Sequence, residues 1–158
     1  MPLAVHAKCR SVRILVGHDG AVASRSARPG VVVQIQLPDG RYAYGRVYRD
    51  ATVGFYQQTS REPTSPPLGS RDFLFWVGVY SDVLAGWERV AIDPFDGSED
   101  QGWPPPMSVA DPIDGRWRVY HHGAMRDADP AQAENLEPAA VWDLEHVVSR
   151  LLAELPHP

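Results

Sequence analysis

The stretch Pro29 to Asp50, PGVVVQIQLPDGRYAYGRVYRD, restricts this chain more than any other. Val31, Val33, Ile35 and Leu37 share one face at a period of two, the spacing of a strand with a buried side. After Pro38-Asp39-Gly40 the alternation restarts, with Tyr42, Tyr44, Arg46 and Tyr48 opposite Ala43, Gly45 and Val47. Proline presets a turn's first central φ, aspartate bonds its own backbone and glycine takes a positive φ. Together they predict a type I hairpin turn closed by a glycine bulge. Two readings of the second strand stand. Either Ala43, Gly45 and Val47 point inward and the tyrosines form a partner-facing row, or the tyrosines help build the core and Arg46 requires a carboxylate or a route to water. The apolar area of three exposed tyrosines favours the second.

With 158 residues and 44% apolar content, a single domain over residues 29–155 buries roughly 70% of its extended surface without a disulfide or structural metal. Cys9 stands alone, which excludes an internal bridge and fits a reducing compartment, the cytoplasm. Residues 1–28 read as a flexible basic extension, with Val12 to Val16 as an alternative edge strand. That aliphatic run, broken by Arg13, is too short for a membrane span or a signal segment. Charge divides along the chain. Residues 1–30 hold five basic residues and one acid, whereas residues 31–158 hold ten arginines and nineteen acids, a balance of −9. Such a field serves solubility, disfavours nucleic acid and speeds encounter with a basic partner.

Beyond the hairpin, strands are expected over Thr52 to Gln57, Phe73 to Tyr80, Trp87 to Ile92, Met107 to Val109 and Trp117 to Tyr120. A proline-rich loop, Gln58 to Ser70, and an acidic loop, Asp93 to Pro106, separate them, and Ser81 is expected to cap one helical turn. From Pro138 to Leu155 the period changes to three and four, with Val141, Leu144, Val148, Leu151, Leu152 and Leu155 on one face. This predicts an amphipathic helix over 138–155, with Glu137 and Pro138 in its first turn and Trp142 locking it to the sheet. The fold class is therefore mainly β, a twisted antiparallel sheet or partly open SH3-like barrel with a C-terminal helix.

Catalytic signatures are sparse. There is no GxSxG elbow, phosphate-cradling GxxxxGK[ST] loop or GxGxxG fingerprint, and the acidic loop lacks the register of a calcium-binding EF-hand. His121 and His122 are the obvious acid-base or ligand candidates, but neighbours in a strand face opposite ways and share a metal only across a bend. They read as surface histidines beside a turn. Asp111, Asp114 and Asp127 read as turn caps, and His146 as a solvated residue of the helix. No cofactor or metal is expected. Five tryptophans and six tyrosines exceed what a small core needs, and such residues anchor interfaces.

The chain resembles the bacterial immunity protein 26 family, in Pro29-Gly30 and the valine-rich strand after it, in Leu37-Pro38-Asp39-Gly40-Arg41-Tyr42-Ala43-Tyr44-Gly45-Arg46-Val47, in Phe55-Tyr56, in Phe73 to Val79 and in the strand at Trp87. The likeness spans residues 29–120. It implies an immunity protein of a polymorphic toxin system, cytoplasmic, monomeric when unbound, that neutralises a cognate toxin by steric occlusion, without turnover. On that expectation the partner-binding surface comprises Tyr42, Tyr44, Arg46, Tyr48, Asp93, Asp96, Glu99, Asp100 and Trp103. Two alternatives remain. A binding module for protein or nucleic acid requires Arg41, Arg46, Arg49 and Arg116 to converge, and a small hydrolase requires a pocket that gathers His121 with a carboxylate such as Asp111 or Glu88.

Overall fold

In the computed structural model, which describes residues 28–157, Val31–Gln36 (β1) and Tyr42–Val47 (β2) form the expected antiparallel hairpin. Gly40 adopts φ +84° and donates its N–H to the Leu37 carbonyl at 3.0 Å, while Asp39 Oδ1 accepts the Arg41 N–H at 3.0 Å. The type I turn with its glycine bulge follows from that chemistry. The expected N-terminal extension, the Val12 to Val16 strand and Cys9 lie outside the described residues.

Three further strands, Thr52–Ser60 (β3), Phe73–Val79 (β4) and Glu88–Ile92 (β5), pair antiparallel around the hairpin. A short helix, Ser81–Gly86 (α1), links β4 to β5; Tyr80 holds its N-cap position without a side-chain cap, so Ser81 does not cap it as expected. Met107–Ala110 (β6), Trp117–His121 (β7) and Ala124–Ala128 (β8) form a second antiparallel meander, followed by the single turn Pro130–Ala133 (α2). Two-residue strands Glu137–Pro138 (β9) and Val141–Trp142 (β10) then join the two sheets in parallel, β9 beside β6 and β10 beside β4. The sheet orders are β10-β4-β3-β2-β1-β5 and β8-β7-β6-β9. The chain is thus mainly β with a short C-terminal helix, and its two sheets are mixed and close no barrel among the described residues.

The central hairpin is buried on both faces, which resolves the two readings of β2. One face carries Val33, Ile35, Ala43, Val47, Val53, Phe55, Phe75 and Val77 in a single apolar cluster with Leu84 and the C-terminal helix. The other carries Val32, Tyr44 and Tyr56, backed by Tyr42, Phe73, Val90 and Ala91. Tyr44, Arg46 and Tyr48 are buried, so they do not form the expected partner-facing row; only Tyr42 of that set is half-buried. Close packing explains the small residues. A Cβ on Gly45 would lie 2.5 Å from Val53 Cγ1, and one on Gly54 would lie 2.7 Å from Trp76 Nε1.

The C-terminal helix, Leu144–Glu154 (α3), is shorter than the expected 138–155. Backbone pairing takes the first five residues, 138–142: the Ala140 carbonyl accepts from Gly78 N–H at 2.9 Å, and Ala139 N–H donates to the Ser108 carbonyl at 2.8 Å. Asp143, rather than Glu137 and Pro138, begins the helix by accepting the His146 N–H at 3.0 Å. The docking face shifts accordingly. Val147, Leu151 and Leu155 are buried, Val148 and Leu152 pack at its margin, and Val141 and Leu144 are exposed. Trp142 does pack against Phe75, with ring centroids 6.3 Å apart, but from β10 rather than from the helix.

Candidate functional site

Arg46 organises the polar face of the large sheet. It is the largest fully buried side chain, and desolvating a guanidinium is tolerable only where its donors are met. All are. Nε donates to the Asp93 carbonyl at 2.9 Å, Nη2 to the Pro94 carbonyl at 2.7 Å, and Nη1 to Glu99 Oε1 at 2.6 Å, while the Phe95 ring lies 3.8 Å from the guanidinium carbon. The carboxylate that Arg46 required is therefore Glu99, with Asp93 behind it. Burial by itself would lower the Arg46 pKa, but the Glu99 bond and the Asp93 charge outweigh it and hold the group protonated. Glu99 shows the converse: burial raises its pKa, and Arg46 and the Asp96 N–H bring it below the ordinary carboxylate range.

This network ties the acidic loop, residues 93–106, to the sheet. Asp93 is buried, accepts the Tyr56 hydroxyl at 2.7 Å and meets Arg71 at 3.3 Å. Arg71 also reaches Glu99 at 2.8 Å, so two arginines grip one carboxylate. Burial, and then the Asp93 bond, push the Tyr56 phenol far above its usual range. Asp93 and Glu99 thus tie the loop down, and the expected partner-facing acids reduce to Asp96 and Asp100, both exposed.

The anchored loop forms one wall of a cleft of about 350 Å³. Tyr48, Phe73 and Trp76 contribute the large sheet's side, and Asp100, Trp103, Pro104 to Pro106 and His121 the opposite side. Phe73 and Trp76 lie 5.3 Å apart, and Tyr48 packs edge-on to Phe73 and Phe95. Trp103 is half-buried at the rim beneath Arg49, which donates to the Gln101 carbonyl at 2.8 Å. Sequence reasoning missed Arg71, Phe73, Trp76 and the three prolines as a site. The proline run was a legible signal, whereas strand aromatics read equally well as core.

At the same rim His121 and His122 converge. His122 takes φ +52° and Gly123 φ +73°, a two-residue turn between β7 and β8 that supplies the bend absent from a straight strand. Both Nε2 atoms meet Asp100 Oδ2, at 3.0 Å for His121 and 2.6 Å for His122. These bonds hold the Asp100 carboxyl below its usual range, His122 contributing most. Tyr120 Oη donates to Asp50 across the same junction.

Other candidates separate. Asp111 accepts the Ile113 and Asp114 N–H groups and Asp114 accepts the Arg116 N–H, the expected turn caps. His146 is exposed and pairs with Asp143. Arg41 bonds Asp39 and the Pro156 carbonyl, Arg46 is buried, Arg49 lies over Trp103 and Arg116 pairs with Asp114, so each of the four arginines named for a nucleic-acid reader is engaged within the chain. Among the described residues no helix is long and apolar enough to cross a membrane. No family model, curated protein or solved structure matches this chain.

Proposed function

We propose that this protein is a stoichiometric inhibitor of the immunity type, which neutralises a toxin by seating part of it in the aromatic cleft. One observation carries the reading: a concave surface with Tyr48, Phe73, Trp76 and Trp103 along it is backed by a buried arginine network instead of by mobile loops. Aromatic side chains bury much area for little rotamer entropy, and a preorganised wall loses little freedom on binding. The −9 balance of residues 31–158 adds long-range attraction for a basic partner, and exposed Asp96 and Asp100 bring that charge to the loop beside the cleft. A cytoplasmic monomer is the state this reading expects.

Co-expression with a toxin encoded in the same operon tests the proposal, and the absence of any such gene counts against it. Rescued growth and a one-to-one complex are the expected results, with Trp103→Ala and Asp96→Lys each weakening the complex at least about tenfold. A complex in which the cleft stays open to solvent overturns the assignment of the surface. A hydrolytic reading has one observation behind it, since His121 lies in the cleft with Asp100 in place of Asp111 or Glu88. Turnover lost in His121→Ala would replace inhibition with that chemistry.

A further inference from the structure

We infer that Asp100, His121 and His122 form a binding site for a divalent transition cation of the zinc type. Their three ligand atoms lie within 4.8 Å of one another, although Asp100 is more than twenty residues from the histidine pair. Adjacent strand residues would aim their rings apart; here the positive φ of His122 turns both to one side, with ring centroids 4.0 Å apart. His122 is further placed by Trp103, whose ring lies 5.3 Å away.

The donor set selects the ion. Two imidazole nitrogens and one carboxylate oxygen suit zinc, nickel, cobalt or copper, whereas magnesium and calcium favour all-oxygen shells. Zinc bonds of about 2.0–2.2 Å space neighbouring ligand atoms by roughly 3–3.5 Å. The observed separations of 3.0 and 2.6 Å therefore need to open by less than about 1 Å, which exposed side chains allow without disturbing the core. With three protein ligands the cation's remaining positions stay open to water or to a donor from a molecule in the cleft, whose rim Asp100 and His121 share.

Isothermal titration of the full, tag-free chain with Zn²⁺, Ni²⁺ and Mg²⁺ tests the inference. One equivalent of Zn²⁺ should be lost in the His121→Ala/His122→Ala double variant and weakened at least about tenfold in Asp100→Asn, with Ni²⁺ following Zn²⁺ and Mg²⁺ not binding. On the unaltered chain, Zn²⁺ should shift the imidazole resonances of His121 and His122 before that of His146. Unchanged Zn²⁺ binding in the double variant, unmoved His121 and His122 resonances, or equal binding of Mg²⁺ would each overturn the site. None of these readouts depends on a toxin partner, so failure here leaves the inhibitory reading standing, and failure of that reading leaves the site standing.

Discussion

The two faces of the central hairpin are equally buried but held by different physics. Beneath α3, Val33, Val47, Val53, Phe55 and Phe75 meet Val147 and Leu151, and apolar area removed from water stabilises the contact without directional demands. On the opposite face Tyr44, Arg46 and Tyr56 are covered by loops, and each polar atom has a named partner: Tyr44 Oη reaches the Glu62 carbonyl and the Ser65 N–H, Tyr56 reaches Asp93, and Arg46 reaches Glu99. The first face tolerates exchange of similar volumes. The second is specific, because losing one partner strands another buried polar group. Only the second face leads to the cleft.

Breaking the apolar face should have the largest effect. Val147→Asp places a charge with no partner in a fully buried position and should cost more than about 4 kcal/mol, read as loss of the cooperative urea transition. Val148→Asp, at the margin of the same face, should keep a transition at a lower midpoint. Next comes Arg46→Met, which removes the buried one of the two cations that hold Glu99 and Asp93 and leaves only the half-exposed Arg71. A loss of about 3–5 kcal/mol by urea unfolding is expected, and an unchanged midpoint would mean that the polar face contributes nothing specific.

Gly54→Ala probes the aromatic packing under the cleft, where the new methyl group meets the Trp76 indole and the Tyr48 ring. It should cost about 1–3 kcal/mol and move the tryptophan fluorescence, while Gly45→Ala should cost as much through Val53 on the helix side without that signal. The smallest effect is in acid. Glu99 has a folded pKa below its unfolded value of 4.5, so its contribution is complete above pH 4.5 and fades as pH falls through the folded value. Stability of Glu99→Gln should therefore fall less steeply below pH 4.5 than that of the unaltered chain, as followed by urea midpoints across pH.

Much of the fold was legible because local chemistry and periodicity agree. Pro38-Asp39-Gly40 specifies its turn unaided, and the alternation in Val31 to Leu37 and Phe73 to Val79 specifies strands. Helix α3 was misjudged at its start because Val141 and Leu144 fit the helical period, while Gly78 and Ser108, far away in sequence, claim the backbone at Ala140 and Ala139. β8 escaped notice because Ala124–Ala128 is largely exposed and carries no apolar alternation; it is a strand only because β7 pairs with it. Of the candidate site, Trp103, Asp96 and Asp100 kept accessible positions, Tyr48 lines the cleft from a buried place in the sheet, Arg46 and Asp93 became its buried support, and Tyr44 is buried against Glu62 and Ser65.

What the sequence by itself determined are the features that depend on neighbours along the chain: the hairpin, the strand periods, the amphipathic helix with Leu151 and Leu155 on its buried face and the need of Arg46 for an acid. Which acid answered it, and which histidines came to share Asp100, was decided only by tertiary structure. Charges and ring nitrogens act over a few ångströms of space, and the fold brings Glu99 to Arg46 and Asp100 to His121 across separations that no periodicity records.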